Sequence, residues 1–166
     1  MNSSVYVETS IISYLSARPS RDVVIAAHQQ LTRQWWKGRR SYRLFVSQIV
    51  RDEAAVGDQA ARARRLKALR GLPALAVGDE ATRLARELVR RGALPTKAAV
   101  DAFHIGIAAA HQIDYLLTWN CKHIANATMR GTIEAICRSA GLTPPIICTP
   151  EELPVGGHDE TPRRHH

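Results

Sequence analysis

The stretch Ser4-Val5-Tyr6-Val7-Glu8 decides the fold, because it is an apolar run that ends directly on an acidic residue. A short and continuously apolar run is typical of a strand that is buried on both faces. An acid at the end of such a strand is unfavourable unless another group pairs with it. The stretch therefore predicts an interior strand whose carboxyl end opens into a polar site.

Further apolar runs alternate with helical patterns along the chain. This alternation predicts an α/β fold, a single domain over residues 1–154 with a mostly parallel central sheet of about five short strands flanked by helices. Residues 155–166 are polar and are expected to form a flexible tail. The other predicted strands are Leu44–Ser47, Ala74–Val77 (the weakest), Tyr115–Thr118 and Ile146–Cys148. The predicted helices run from a cap at Ser20 to Lys37, then over Gln48–Val56, Gln59–Arg70, Glu80–Arg91 with Asp79 as its cap, Lys97–His111 and Ala127–Ala140.

The composition is that of a globular protein of 166 residues, with 45% hydrophobic and 23% charged residues. No apolar run is long enough to cross a membrane, and the N-terminus lacks the features of a signal peptide. A cytoplasmic location is therefore expected. The odd number of cysteines, with no CxxC spacing, predicts reduced thiols rather than a disulfide.

The positive charge is concentrated in one segment. Residues 33–70 hold 11 basic and 3 acidic side chains, which equals the whole net charge of +8. Such an excess suits a polyanionic partner, either nucleic acid or an acidic protein, but it is also compatible with a solvated helix face.

Four polar residues lie where apolar strands or helices begin or end: Glu8, Glu53, Asp101 and Asn120. Ligands of an open α/β sheet collect outside the carboxyl ends of its strands, so these side chains can converge on one pocket. Carboxylate and amide oxygens are the ligands that Mg²⁺ or Mn²⁺ prefers. The pattern predicts a divalent-metal site.

At this point the sequence resembles the PIN-domain nucleases, specifically the VapC-like toxins of type II toxin–antitoxin pairs. Four pieces, in order and at the right intervals, carry the resemblance: Tyr6–Ser10, Ser47–Glu53, Asp101–Ile105 and Leu116–Asn120. The resemblance implies a Mg²⁺- or Mn²⁺-dependent endoribonuclease, often a homodimer, that is neutralised by a cognate antitoxin.

The resemblance also implies roles for individual residues. Glu8, Glu53 and Asp101 take the three acidic metal-binding positions, and Asn120 takes a fourth catalytic position at which it orients water or substrate. Substrate contacts are expected from residues within the matching pieces, namely Thr9, Ser10, Arg51 and Thr118.

This chain departs from the family pattern at two positions. Glu8 stands where the family usually has Asp, and Asn120 stands where it often has Asp. The first change moves the carboxylate out by one methylene, and the second removes a charge. We therefore expect weaker metal binding or a single tightly held ion. The alternative is a catalytically weak or inactive module that binds RNA or an antitoxin.

Several neighbours of these residues have a competing interpretation. Asp101 can pair with Lys97, its i−4 neighbour, and Asp52 competes with Glu53 for the metal role. His104 is expected to be a hydrogen-bonded packing residue rather than a general base. Cys121 is expected to be inert, since no base is available to activate it.

The remaining predictions concern aromatic and apolar residues. Trp35 and Trp36 point about 100° apart on a helix, so one of them is expected in the core while the other is free to stack on a base. Ala26, Leu31 and Trp35 are candidates for a homodimer face. Asp114 is expected to be a turn or cap residue.

Overall fold

Five parallel strands form a single sheet at the centre of the protein, in the order β3-β2-β1-β4-β5. The computed structural model describes residues 2–156. β1 is the middle strand, and each of its residues is buried. The strands are β1 Ser4–Val7, β2 Arg43–Ser47, β3 Ala74–Leu75, β4 Tyr115–Leu117 and β5 Ile146–Cys148. The predicted α/β fold is confirmed.

Helices connect the strands and cover the sheet. They are α1 Thr9–Ser16, α2 Val23–Lys37, α3 Gln48–Ala54, α4 Gln59–Ala68, α5 Asp79–Arg90, α6 Ala99–Ala110 and α7 Arg130–Ser139. Two 3-10 turns, Arg39–Ser41 and Thr96–Ala98, precede β2 and α6.

Helix starts differ from the predicted ones because the capping side chains differ. The cap of α2 is Asp22, whose carboxylate accepts a hydrogen bond from the Ile25 amide at 3.0 Å, whereas the Ser20 hydroxyl accepts from the Asp22 amide. Asp79 is the first residue of α5 rather than its cap. The chain after Pro95 first forms a 3-10 turn, so α6 begins two residues later than predicted, and α7 begins three residues later.

Trp35 lies in the core, where it is 2% exposed. Its indole N–H donates to the Leu153 carbonyl at 2.9 Å, and its ring stacks on Tyr42. The proposal that Trp35 contributes to a dimer face is therefore wrong. Trp36 is half-buried, with the Arg39 guanidinium 4.8 Å above its ring, so only one tryptophan of the pair belongs to the core, as predicted.

The end of the domain is held by contacts to the start of β2. Tyr42 donates its hydroxyl proton to the Pro154 carbonyl, and the Gly156 amide donates to the Ser41 hydroxyl. Most of the predicted tail, residues 157–166, lies outside the described residues. No helix within residues 2–156 is both long and apolar enough to cross a membrane.

Candidate active site at the carboxyl edge of the sheet

Glu8 follows β1 directly and caps α1. One of its carboxylate oxygens accepts from the Ser10 amide, and the other accepts from the Thr118 hydroxyl at 2.9 Å. Only 4% of Glu8 is exposed. Burial raises the pKa of the Glu8 carboxyl, and the nearby Glu53 charge adds to the rise, while His104, Ser10 and Thr118 oppose it. The side chain is thus a buried hydrogen-bonded acid with both oxygens in use.

Glu53 lies near the end of α3, and its Oε1 joins two elements. It accepts from the Thr9 hydroxyl at 2.7 Å and lies 2.7 Å from Nε2 of His104. Burial acts to raise the pKa of the Glu53 carboxyl, but the hydrogen bond and attraction of His104 and the Thr9 hydroxyl outweigh it and lower the pKa. Among residues 2–156, no hydrogen bond reaches its Oε2, and 37% of the side chain is exposed.

A buried polar chain continues from His104 into the sheet. Its Nδ1 lies 2.7 Å from the Tyr6 hydroxyl, which lies 2.8 Å from the Ser47 hydroxyl. A neutral ring accepts at Nδ1 from Tyr6, while a protonated ring donates from both nitrogens and Tyr6 donates to Ser47. Both arrangements satisfy every buried polar atom of the chain. Burial also raises the pKa of the Tyr6 phenol, which keeps it protonated.

Asp101 lies in the first turn of α6, one turn before His104 on the same helix face. The side chain is half-buried. Within the described part of the chain, neither a hydrogen bond nor an ion pair engages its carboxylate, so the competing pair with Lys97 is absent there. An acid near a helix N-terminus is favoured by the helix dipole. Its oxygens are available to a ligand.

Asn120 follows β4, and its side-chain carbonyl accepts from the His123 amide at 3.1 Å. Its backbone amide donates to the Thr118 hydroxyl at 2.9 Å, which links it to Glu8. The side-chain oxygen of Asn120 therefore holds the following loop, while its side-chain NH₂ has no partner among residues 2–156.

The family model of the PIN domain matches residues 5–126. The chain belongs to the PIN domain family. No curated protein matches it in sequence. A chain in the crystal structure of VapBC2 from Rickettsia felis, bound to a DNA fragment from their promoter, has a similar fold at 14% identity. The match covers 88% of this chain and 98% of that one, with a TM-score of 0.51. A chain of VapBC-5 from Mycobacterium tuberculosis matches at 16% identity over 70% of this chain and 84% of that one, with a TM-score of 0.44.

The carboxylates of this PIN domain do not assemble into a complete ligand set. No three His, Cys, Asp or Glu side chains of residues 2–156 gather closely enough to hold a metal ion. Glu8, which is one methylene longer than the expected Asp, caps α1 and accepts hydrogen bonds with both carboxylate oxygens. Glu53 and Asp101 present oxygens that suit a hard cation, whereas those of Glu8 are already hydrogen-bonded.

The expected substrate contacts fall into two groups. Thr9, Ser10 and Thr118 support the acids: Thr9 binds Glu53, Thr118 is fully buried against Glu8, and the Ser10 hydroxyl accepts from the Trp119 amide at 2.8 Å. Arg51 lies two residues before Glu53, so it points about 200° away around the helix. It donates to the Leu72 carbonyl instead.

The buried and hydrogen-bonded position predicted for His104 is confirmed. Its bond to Glu53 was not predicted, and neither were the roles of Tyr6 and Ser47. Each looks like an ordinary strand or helix residue in the sequence. The one available signal is a tyrosine within an otherwise apolar strand, since a buried hydroxyl needs a partner.

Cysteine chemistry does not contribute to this site. Partial burial raises the pKa of the Cys121 thiol. Burial raises the pKa of Cys137 to about 11 and the pKa of Cys148 to about 12. All three are free thiols that are protonated at neutral pH. The interpretation of Cys121 as inert therefore agrees with its environment.

The basic segment of residues 33–70 keeps its charge uncancelled. Six of its arginines donate to backbone carbonyls: Arg33, Arg39, Arg43, Arg51, Arg64 and Arg65. The ion pairs found within residues 2–156 involve none of its basic residues. Carbonyl oxygens orient a guanidinium without neutralising it, so the segment presents a positive surface.

Proposed function

We propose that this PIN domain is a Mg²⁺- or Mn²⁺-dependent endoribonuclease that hydrolyses RNA phosphodiester bonds, and that it is the toxin of a VapC-like pair. The observation that carries the proposal is the position of the acids at one edge of the sheet: Glu8 directly follows β1, the Glu53 charge acts on Glu8, and Asp101, whose carboxylate has no partner among residues 2–156, lies one turn before His104. Acids at the carboxyl edge of a parallel sheet suit a divalent cation as their counter-charge.

Glu53 and Asp101 would hold the ion first, since each has a carboxylate oxygen that no group in the described part of the chain engages. Glu8 would join only by giving up hydrogen bonds from Ser10 and Thr118. Such an ion supplies hydroxide and stabilises the leaving oxygen. The residues around it hold their positions: His104 orients Glu53, and the Asn120 side-chain NH₂ is available to a water or to the substrate.

Partners follow from the same proposal. Uncancelled arginines in residues 33–70 would neutralise RNA phosphates and make binding salt-sensitive. A toxin requires an antitoxin, and this partner would cover the acidic edge in the cytoplasm. The name of VapBC2, which shares the fold, gives a precedent for such a pair.

A homodimer is proposed as well, through the partly exposed Ala26 and Leu31 rather than through Trp35. Light scattering tests the dimer, and a monomer at high concentration contradicts it.

Cleavage of structured RNAs by the purified chain in Mn²⁺ tests the enzyme proposal. EDTA should abolish cleavage, and Asp101→Asn should slow it by about 100-fold or more because a carboxylate that would hold the ion is lost. Asp52→Asn is the matched control, since that carboxylate is exposed and, among residues 2–156, binds only the Gln48 side chain. Cleavage that survives EDTA or Asp101→Asn contradicts the proposal.

A second candidate is a binding module without catalytic activity. It is favoured by the engagement of both Glu8 oxygens, which leaves the acidic set incomplete. This module would bind RNA or an acidic antitoxin segment through the positive surface. RNA binding by the unaltered chain without cleavage at any Mn²⁺ concentration would support it.

A further inference from the structure

A groove of about 640 Å³ lies beside the candidate active site. One wall is the end of α5 and the connection to α6, which includes Leu94 and Lys97, and the other is the loop after β4, which includes Lys122, His123 and Met129. Its volume lies in the range of about 300–1,000 Å³ that is usual for small-ligand sites.

The groove combines cationic rims with an apolar floor. Lys97 and Lys122 are exposed, and neither side chain makes a hydrogen bond or ion pair within residues 2–156. None of the groove's lining residues within 2–156 is acidic. Leu94 is buried and Met129 half-buried beneath the rims. This chemistry fits a ligand with an anionic backbone and a flat, weakly polar body.

Local hydrogen bonds fix the loop that carries Lys122. The side-chain amide of Asn126 donates to the Lys122 carbonyl at 2.9 Å, and its side-chain oxygen accepts from the Thr128 hydroxyl at 2.7 Å. The Ala125 amide donates to the Asn120 carbonyl at 2.8 Å. The wall is therefore formed before any ligand binds, which lowers the entropic cost of binding.

Both walls are continuous with candidate catalytic residues. Lys97 precedes Asp101 by one turn, and the His123 amide donates to the side chain of Asn120. In an RNA strand that passes the acidic edge, the nucleotide next to the reacting phosphate would lie in the groove.

We propose that this groove is a subsite for one nucleotide of single-stranded RNA adjacent to the bond that is cleaved. Lys97 and Lys122 contact the flanking phosphates, and the base lies against the half-buried Met129. This subsite rests on the proposed ribonuclease function, and it adds the place where one nucleotide of the single-stranded substrate binds. A base can enter only when it is unstacked, so loops and single strands bind better than A-form duplex.

Fluorescence anisotropy with a labelled single-stranded oligoribonucleotide in EDTA measures the subsite without cleavage. Lys97→Ala with Lys122→Ala should weaken binding at least tenfold. The slope of log affinity against log salt should fall by about 1.4, the share of two single-strand phosphate contacts. Lys97→Arg with Lys122→Arg should restore the affinity. The matched control is Arg83→Ala with Arg86→Ala, which removes the same charge from exposed positions of α5.

The outcomes separate the subsite from the enzyme. Unchanged affinity and slope in the double lysine variant overturn the subsite, even where Mn²⁺-dependent cleavage persists. Weakened binding in that variant, with no cleavage by the unaltered chain, supports the groove as a binding site for single-stranded RNA and refutes the nuclease. Equal binding of duplex and single strand, or binding of an acidic peptide but not of RNA, also overturns the subsite.

Discussion

At the scale of single residues, the buried chain from Glu53 through His104 and Tyr6 to Ser47 connects the candidate site to the core of the sheet. Each side-chain polar atom of His104, Tyr6 and Ser47 has a partner, and a buried network of this kind is strongly stabilising only while it is complete. We therefore expect the site and the fold to respond together to changes within it.

Tyr6→Phe tests this coupling. Loss of the hydroxyl leaves the Ser47 and His104 side chains each short of one buried partner, which should cost about 1–3 kcal/mol in the free energy of unfolding. Tyr14→Phe is the control, because no hydrogen bond of the described residues involves its hydroxyl and the residue is half-buried. Urea unfolding compares the two, and equal stability of both variants contradicts the network.

The two site acids predict opposite pH dependences. The pKa of Glu53 is lowered in the folded state, so its contribution to stability is present above the unfolded pKa and is lost as the pH falls through the folded one. Because its side chain is partly exposed, we expect this contribution to be at most about 1 kcal/mol. Glu53→Gln should flatten the acid limb of the stability profile, and an unchanged acid limb contradicts the hydrogen-bonded geometry of Glu53.

Glu8 has the reverse sign, because burial raises its pKa. Its contribution is present below the unfolded pKa and is lost as the pH rises through the folded one. Glu8→Gln should therefore raise the melting temperature at neutral pH, by about 2–4 °C per kcal/mol gained, with a smaller difference in acid. Thermal unfolding at several pH values measures this. A lower melting temperature at neutral pH would show that the ionised form is favoured.

At the scale of elements, α5 and α6 approach each other closely at one glycine. A Cβ on Gly106 would lie 2.5 Å from the Ala81 carbonyl oxygen. Gly106→Ala should destabilise the fold by about 1–3 kcal/mol despite its better helix propensity, because the helices must separate.

Gly131 provides the matched helical control, since nothing lies within 4 Å of a Cβ added there. Gly131→Ala should be stabilising by about 0.5–1 kcal/mol. Chemical denaturation of both variants measures the difference in their free energies of unfolding. Similar stability of the two proteins would contradict the close packing of α5 on α6.

The sequence predicted strands better than helix starts. Continuous apolar runs mark buried parallel strands, and β1 and β5 coincide with their predicted ranges. The helix α1 was missed because it has eight residues and follows β1 without an intervening turn. Its start signal, Glu8, is also a site residue, and a single acid does not show which role it plays.

The site was predictable in outline only. The interval in the resembling family favoured Glu53 over Asp52, and in the structure Glu53 binds His104 while Asp52 is exposed. Contacts such as those of Tyr6 to Ser47 and to His104 join residues 41 and 98 positions apart, so no local pattern reveals them. The hydrogen bond from Thr118 to Glu8 likewise spans 110 positions.

At the scale of the whole molecule, the net charge of +8 is concentrated in residues 33–70, where it is oriented by backbone carbonyls. The basic residues of this segment fall into two functional groups. Arg65 donates to Ala54 and Val56 and holds the end of α3, whereas Arg62 and Lys67 are exposed and make no hydrogen bond within residues 2–156.

Alanine variants separate the two groups. Arg62→Ala with Lys67→Ala should weaken RNA binding and its salt dependence while leaving the melting temperature unchanged. Arg65→Ala should lower the free energy of unfolding by about 1–3 kcal/mol, because its carbonyl partners lose a charged donor. Anisotropy and thermal unfolding measure both effects. A double variant with undiminished RNA affinity would show that this surface does not bind RNA.

Calorimetric titration with Mn²⁺ tests the central claim, that the acids at the carboxyl edge of the sheet bind a hard cation. The unaltered chain should bind Mn²⁺ reversibly, Asp101→Asn and Glu53→Gln should each weaken binding by about 10–100-fold, and Asp52→Asn should not change it. No binding by the unaltered chain, or equal affinity in all four proteins, would contradict the account.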